Sequence, residues 1–310
     1  MPGDYATIQQ AITALRAANQ KATVCIADGT YSGDLSLDYG TAELTLVGSS
    51  AARVILDGSV SSPLYTGSPA IVRFRGVTIA AGVTSPWSIG LEDCIVRAKA
   101  NHPAVWMQQS NYYPGNADAV AEIDSCDIAG SASPAVEVSF GGNAQLGGNP
   151  LAVTVQNNWL HDSTIGIYFT TNSGSIGSFR AVHNTLRGNA TGITISGNQS
   201  GAIGSTFVSN VVVDSTTAIS SDRTAKDGNA NLIDDMRDNA LFGNTNNYGG
   251  LAAPGAGYIV VDPELGAGAP PAPLGGSPLI GAGDPALAPV LDFFAAPRNG
   301  RADVGAVEGP

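Results

Sequence analysis

One short motif recurs through the middle of the chain, and its repetition constrains the fold more than any other feature. The motif is an apolar residue, two polar residues, a cysteine or asparagine, any residue and a second apolar residue, as in LEDCIV, IDSCDI and VQNNWL. Its fourth position recurs every 26 to 32 residues, at Cys94, Cys126, Asn158, Asn184, Asn210 and Asn239. Such intervals are typical of solenoids, in which each repeat packs only on its neighbours.

A second segment follows each of the first five copies and has the alternation of a β-strand. Apolar residues alternate with polar or bulky ones, as in AVWM, GIYF and GITI. Coils of short strands cannot bury a face alone, so they must stack. Coils of a parallel β-helix lie about 4.8 Å apart, which turns the recurring position into one buried column of hydrogen-bonded asparagines. Cys94 and Cys126 are expected to continue that column as stacked thiols.

The ends of such a solenoid need covers, because exposed sheet edges template aggregation. Thr7-Ile8-Gln9-Gln10 is a capping-box sequence followed by apolar residues at helical spacing, which predicts a helix over about residues 6–20. The prediction is an all-β fold, a single-stranded right-handed parallel β-helix (solenoid) over residues 1–249 that includes this N-terminal capping helix. Residues 250–310, rich in proline and glycine, are predicted to form an irregular C-terminal cap that packs on the β-helix.

The charge of the chain narrows the choice of partners. With 14 basic and 26 acidic residues the net charge is −12, and only three residues are lysines. Nucleic acid is not an expected partner, because phosphate binding needs clustered Lys and Arg. A polyanionic polysaccharide would be repelled unless cations or local arginines reverse the field, so Ca2+ is a candidate cofactor, with no metal ligands assigned. No run of about 18 apolar residues exists, so no membrane span is expected, and a monomer is predicted.

Both terminal segments resemble known β-helix proteins. The opening DYATIQQAI...VCIADGTYSGDLSL...LTLVGSS is similar to the first coils of the pectin-lyase-like right-handed parallel β-helix superfamily. The segment SPLIGAGDPA...DFFAAPRNGRADVGAVE, residues 277–308, resembles the choice-of-anchor module of bacterial secreted β-helix proteins, with Gly281 where that pattern often has aspartate. The resemblance implies a secreted or cell-surface bacterial protein, whose signal peptide is expected to lie outside this sequence. It does not define an activity, because this scaffold carries lyases, hydrolases, esterases and adhesins.

The second strand of each coil predicts a substrate groove. Alternation directs Trp106, Glu137 and Tyr168 outward, and two insertions, residues 109–119 and 140–150, are expected to wall this surface. Aromatic and amide side chains suit a sugar chain, whose ring faces stack on Trp and Tyr. The alternative is that the aromatic side chains only shield the strands. The predicted substrate-binding residues are Lys99, His102, Trp106, Gln108, Tyr112 and Tyr113.

Candidate catalytic residues lie on this strand and on the turn before it. β-Elimination on a uronic acid needs a base for the C5 proton and a cation beside the carboxylate. His161 or Tyr168 is the candidate base and Arg187 the candidate cation, with Asp162 orienting the histidine or binding calcium. Hydrolysis would instead use two carboxylates, for which Glu137 and Asp162 are the best pair.

Three functions therefore stay open. The leading hypothesis is an extracellular lyase that cleaves a uronic-acid-containing polysaccharide by β-elimination. The first alternative is a non-catalytic surface, carbohydrate-binding or adhesin-like β-helix protein, which the anchor-like tail favours. The second alternative is a glycoside hydrolase with paired carboxylates. The catalytic motifs of pectin hydrolases, pectin methylesterases and alginate or chondroitin lyases are not found in the sequence. An enzyme needs titratable groups clustered on one face, whereas an adhesin does not.

Overall fold

The chain forms a parallel β-helix, as predicted. The computed structural model describes residues 4–18, 20–37, 43–62, 71–85, 88–109, 119–140, 151–171, 177–197, 203–221, 235–250, 252–298 and 300–310. Within these ranges, 27 strands form three sheets of nine, and neighbours in each sheet are three strands apart in the chain. All the strand pairs are parallel. Each coil therefore gives one strand to every sheet and stacks on the coil before it.

The strands of the three sheets are as follows. Sheet A contains β1 Ala22–Cys25, β4 Leu44–Val47, β7 Val72–Arg75, β10 Ile89–Glu92, β13 Ala119–Asp124, β16 Leu151–Gln156, β19 Gly177–Val182, β22 Ile203–Val208 and β25 Asp235–Arg237. Sheet B contains β2 Gly29–Tyr31, β5 Val54–Leu56, β8 Thr78–Ile79, β11 Ile95–Arg97, β14 Asp127–Ala129, β17 Trp159–His161, β20 Thr185–Arg187, β23 Val211–Val213 and β26 Ala240–Phe242. Sheet C contains β3 Leu35–Ser36, β6 Val60–Ser61, β9 Val83–Ser85, β12 Val105–Gln109, β15 Val136–Phe140, β18 Ile165–Thr171, β21 Thr191–Gly197, β24 Thr217–Ser221 and β27 Asn246–Gly250.

The N-terminal helix α1, Ile8–Ala18, covers the first coil, as predicted. The capping box is formed in both directions: the Gln10 amide donates to Thr7 Oγ1 at 3.1 Å, and the Thr7 amide donates to Gln10 Oε1 at 3.2 Å. Gln9 also exchanges two hydrogen bonds with the backbone of Ser36, at 2.9 and 3.1 Å. The glutamine amide thus replaces a strand partner at the open edge of sheet C. In the described part of the chain, no helix has the length and apolar character needed to cross a membrane.

Alternation along the strands fills the interior with columns of apolar side chains. The rings of Phe169 and Phe179 stack 4.7 Å apart, and Phe207 meets Phe179 edge-on at 5.5 Å. The inward column of sheet C is buried throughout and consists of Leu35, Val60, Val83, Val105, Val136, Ile167, Ile193 and Ile219. This alternation directs the residues between them outward.

The turn from sheet A to sheet B contains the predicted column. Each of the six coils from Cys94 to Asn239 places one residue in the left-handed region, with φ of 55° at Asn157 and 52° at His183, and the column residue follows it. Asn184 Oδ1 accepts from the backbone and side-chain amides of Asn158, both at 3.0 Å, and Asn184 Nδ2 donates to Val155 O at 2.8 Å. Asn210 and Asn239 repeat these contacts. The ladder thereby satisfies buried polar groups from coil to coil.

The two column cysteines behave as predicted. Cys94 and Cys126 are buried and form no disulfide. Cys126 Sγ donates to Asp124 O at 3.1 Å, within its own turn, and its backbone amide donates to Asn158 Oδ1 at 2.9 Å. Burial raises the pKa of the Cys126 thiol well above its usual value. Both side chains fill the volume of the asparagine ladder, and the Cys126 thiol is not reactive because it stays protonated.

The C-terminal segment closes the last coil and then turns back along sheet B. Ala256 and Ile259 form parallel β-bridges to Arg237 of sheet A and Ala240 of sheet B, so they extend the strand pairing beyond the last coil. Further on, Gly305 donates to Ser209 O and Ala306 donates to Thr185 Oγ1. A Cβ on Gly305 would lie 2.8 Å from Val211 Cγ2, so glycine allows this close approach. The irregular C-terminal cap is thus present and also covers outward residues of sheet B, while a domain boundary at residue 250 stays a prediction.

Candidate functional site

One column on the outward face of sheet C contains the side chains predicted for the groove. Trp106 pairs in register with Glu137, and Glu137 with Tyr168. The column continues through Thr194 and Ser220. Strand spacing places each neighbour about 4.8 Å away, so the two aromatic residues are about 9.6 Å apart with the carboxylate between them. A rigid sheet therefore presents these three groups at fixed separations.

Two features of this column are unusual for a plain strand surface. The Trp106 indole Nε1 is buried and has no hydrogen-bond partner among the described residues. Burial raises the pKa of the Glu137 carboxyl above its usual value. A polar atom buried without a partner, and a half-buried carboxylate that no cation in the described ranges neutralises, both cost stability. Such costs are common where a surface is built to receive a ligand.

The remaining predicted substrate residues lie around this column or outside the described ranges. Gln108 is exposed on β12 beside Trp106. Lys99 and His102 are exposed on the turn between β11 and β12, and the His102 ring lies 6.2 Å from that of Trp106. Tyr112 and Tyr113, and most of the two insertions, lie outside the described residues.

His161 lies on a different face, at the end of β17 in sheet B. Its Nδ1 lies 2.8 Å from Asp162 Oδ2, and its Nε2 lies 2.9 Å from Asp127 Oδ1. Arg97 holds Asp127 through two further hydrogen bonds, of 2.8 and 2.9 Å, and the imidazole stacks on Trp159 with a centroid distance of 5.0 Å. Both ring nitrogens of His161 are therefore occupied by carboxylates.

These contacts define the protonation of the cluster. Burial lowers the pKa of His161, but the hydrogen bonds and charges of Asp127 and Asp162 outweigh it and raise the pKa above its usual value. Burial likewise raises the pKa of Asp127, and His161 and Arg97 reverse this effect and lower it. Because a carboxylate only accepts hydrogen bonds, both contacts are made at once only by the protonated imidazole. A protonated and fully bonded histidine is a poor general base.

The five predicted catalytic residues are thus divided between two places. Arg187 is the in-register neighbour of His161 in sheet B, and its Nε donates to Asp214 Oδ2 at 2.9 Å. Asp162 begins the turn after β17, is largely exposed and bonds His161. Glu137 and Tyr168 are on sheet C. The structure therefore brings together His161, Asp162 and Arg187 in one group and Glu137 and Tyr168 in another.

Asp127, which contacts His161, and Arg97, which bonds Asp127, were not among the predicted residues. Aligning the repeats on their fourth position would have found them. Asp127 follows its column residue, Cys126, by one position. Arg97 and His161 each follow their own column residue by three positions, so both are in register with Ala129, one on each neighbouring strand. Asp127, on the same strand as Ala129, therefore lies diagonally between Arg97 and the protonated His161.

In the described ranges, no group of three or more His, Cys, Asp and Glu residues has an arrangement that could hold a metal ion.

Comparison with known proteins adds no assignment to this geometry. A scan against protein-family models, a search of curated proteins and a search of solved structures each gave no match. The resemblance of the opening segment to pectin-lyase-like proteins, and that of residues 277–308 to the choice-of-anchor module, therefore stay predictions. A parallel β-helix by itself defines no activity, so function has to be inferred from the side chains of this chain.

Proposed function

We propose that this is a polysaccharide-binding β-helix protein that acts outside the bacterial cell, with its ligand along the outward face of sheet C. The observation that carries the proposal is the register of Trp106, Glu137 and Tyr168 on three successive strands. Two aromatic side chains give stacking platforms for sugar rings, and a carboxylate between them accepts hydrogen bonds from sugar hydroxyls. The regular strand spacing matches an extended polymer.

The rest of this face supports a neutral ligand. Apart from Gln108 beside Trp106, the neighbouring outward positions on strands β3 to β24 carry small hydroxyl side chains, which hydrogen-bond sugars without imposing charge. The nine strands of sheet C contain no Lys, Arg or His. A polyuronate would meet Glu137 with no cation on these strands to offset the repulsion. The hydroxyl residues are Ser36, Ser61, Thr84, Ser139, Thr170, Thr194, Ser196 and Ser220.

Binding is preferred to cleavage because the groups that cleavage needs are not together. β-Elimination needs an unprotonated base and a free cation at one sugar. His161 and Arg187 are on sheet B and are both engaged by carboxylates. Hydrolysis needs two carboxylates across one bond, whereas Glu137 is on sheet C and Asp162 is held by His161. We therefore place the adhesin-like alternative ahead of the lyase and the hydrolase.

The proposal is tested by affinity electrophoresis and calorimetry on a panel of neutral and uronic-acid polysaccharides, with and without calcium. Trp106→Ala and Tyr168→Ala are each expected to weaken binding of a neutral glycan about fivefold or more, since one stacking contact is worth about 1 kcal/mol or more. Phe294→Ala is the matched control, because Phe294 is an exposed aromatic residue on the C-terminal segment.

The same samples are followed for ultraviolet absorbance of unsaturated sugars and for new reducing ends. Product formation that Tyr168→Phe or Glu137→Gln abolishes would replace the binding proposal by an enzymatic one. Equal weakening by Phe294→Ala and Trp106→Ala, or no retention on any glycan, would contradict a site on sheet C. Thermal melting of each variant separates lost binding from lost folding.

A further inference from the structure

A groove of about 500 Å³ lies along the outward face of sheet A, on a different side of the β-helix from sheet C. Its lining residues come from β1, β4, β7, β10, β13, β16 and β19, which are successive neighbours in the sheet. Six strand spacings make it about 29 Å long. The groove therefore has the shape for an extended ligand.

Gly90 forms the floor of the groove at its middle. It lies in register between Arg73 and Glu122, and a Cβ there would be 2.9 Å from both Cγ and Nη1 of Arg73. The Arg73 side chain crosses over the glycine and pairs with Glu122 on the strand beyond. A side chain at position 90 would both fill the groove and displace this pair.

The charged side chains around Gly90 compensate one another. Arg73 Nε also lies 3.3 Å from Glu43 Oε1, and Lys21 Nζ lies 2.7 Å from Glu43 Oε2. Lys21, Glu43, Arg73 and Glu122 thus form one alternating network. Because Arg73 and Glu122 already neutralise each other, neither is expected to bind a charged group of a ligand strongly.

Arg180 is different, because it lines the groove without a carboxylate partner in the described part of the chain. Its described hydrogen bond is a long one, 3.4 Å from Nη2 to Leu287 O, and its Nε is buried with no partner among the residues that the structure describes. In register it lies between Thr154 and Thr206, so hydroxyl groups flank the guanidinium on both neighbouring strands.

Neither acid that β13 contributes to the groove neutralises Arg180: Glu122, two strands away in register, is paired with Arg73, and Asp124 is bonded by neutral groups. Asp124 accepts from Gln156 Nε2 at 2.8 Å, from Asn157 Nδ2 at 3.3 Å and from Ser125 Oγ at 3.0 Å. Its two oxygens are therefore occupied by neutral donors. A buried guanidinium atom without a partner costs stability, and an anionic group on a ligand would remove that cost.

We propose that sheet A carries a second binding site, for an extended saccharide with carboxylate groups, in which Arg180 binds a carboxylate and the flanking threonines bind hydroxyls. A peptide is a poorer fit, because peptides are held by backbone bonds at a sheet edge, whereas this groove lies on a sheet face whose backbone groups are already paired. The site is separate from the sheet C surface and does not depend on it. It also gives a net acidic protein one local cationic position for an acidic ligand.

The experiment is isothermal titration of the intact protein with an oligogalacturonide of defined length and with its carboxyl-reduced, neutral counterpart. Arg180→Gln keeps most of the side-chain stem and is expected to weaken acidic-oligomer binding about tenfold, the value of one charge-assisted hydrogen bond. Arg180→Lys keeps the charge but loses the fork geometry, and an intermediate loss is expected. Arg53→Gln, which removes an exposed arginine on the turn between β4 and β5, is the charge-matched control and leaves binding unchanged.

Four results would overturn the proposal: no binding of the acidic oligomer, equal binding of its neutral counterpart, equal losses in Arg53→Gln and Arg180→Gln, or Arg180-dependent binding of poly-glutamate in place of the saccharide. If Arg180→Gln lowers the melting temperature so far that binding cannot be measured, the Arg180→Lys result decides. None of these results depends on neutral glycan binding to sheet C, so the experiment tests the sheet A proposal independently of the sheet C proposal.

Discussion

Nε2 of His161 lies 2.9 Å from Oδ1 of Asp127, a residue 34 positions earlier on the preceding coil. Asp162 holds the other ring nitrogen at 2.8 Å, and Arg97 holds the far side of Asp127. This arrangement joins three coils, β11, β14 and β17, on the outward face of sheet B. His161 thus acts as a cross-link between coils.

The His161 cluster predicts a loss of stability on the alkaline side. Asp127 and Asp162 raise the folded-state pKa of His161, so the stabilisation is complete below the unfolded-state value of about 6.5 and is lost as the pH rises through the folded value. Urea unfolding of the wild type should therefore give a lower free energy at pH 9 than at pH 6. His161→Gln should reduce this difference, whereas His102→Gln, at an exposed position, should leave it unchanged. An identical pH dependence in wild type and His161→Gln would contradict the cross-link.

Glu137 predicts a loss of stability when its carboxyl group ionises. Burial raises the pKa of its carboxyl, so the folded state binds the proton more tightly than the unfolded chain and loses stability as the pH rises above about 4.3. Glu137→Gln should unfold at higher urea than the wild type at pH 7, with the gain shrinking towards pH 4. The low-pH measurement is the internal control, since a gain of equal size at both pH values would come from packing instead of charge.

The asparagine ladder predicts a large loss on removal of one central amide. Asn184→Ala leaves the backbone and side-chain amides of Asn158 and the carbonyl of Val155 without their partner. Several unsatisfied buried groups should cost about 3 kcal/mol or more in the free energy of unfolding. Asn246→Ala, at an exposed position of β27, should change it by less than about 0.5 kcal/mol. Similar values for the two variants would mean that the ladder is not stabilising.

His183 predicts acid sensitivity of the contact between the C-terminal segment and the β-helix. Burial, with a further contribution from Arg298, lowers its pKa to about 4. Its Nδ1 donates to Asp303 O at 3.0 Å, while Nε2 lies 3.4 Å from Asp284 O, so the neutral ring makes one good bond. The unfolded chain takes up the proton first, and stability should fall by about 3 kcal/mol as the pH drops from about 6.5 to about 4.

His183→Asn tests this prediction without disturbing the turn. Position 183 has φ of 52°, a conformation that asparagine tolerates and that Asn157 adopts on the coil before it. The variant should lose less stability than the wild type between pH 6.5 and pH 4.5, and proteolysis of the C-terminal segment should show the same difference. A variant with the acid sensitivity of the wild type would exclude His183 as its origin.

Much of the coil could be read from the sequence because its determinants are local. Alternating apolar residues define which side chains of β12, β15 and β18 enter the core, and the recurring fourth position defines the ladder from Cys94 to Asn239. Stacking equal repeats then aligns Trp106, Glu137 and Tyr168 without further information. The capping box at Thr7 and Gln10 is equally local, with partners three residues apart.

The contacts that decide function are distant in sequence and depended on tertiary structure. Whether His161 is a base or a bonded cross-link depends on Asp127, 34 residues away, and the Arg73 pair with Glu122 spans 49 residues across Gly90. Arg180 and His183 meet the C-terminal segment more than 100 residues later. Local alternation determined the β-helix and its outward columns, because each coil repeats the same short-range preferences. Only the folded chain decided which outward charges are paired and which are open, because that balance depends on side chains from other coils and from the C-terminal segment.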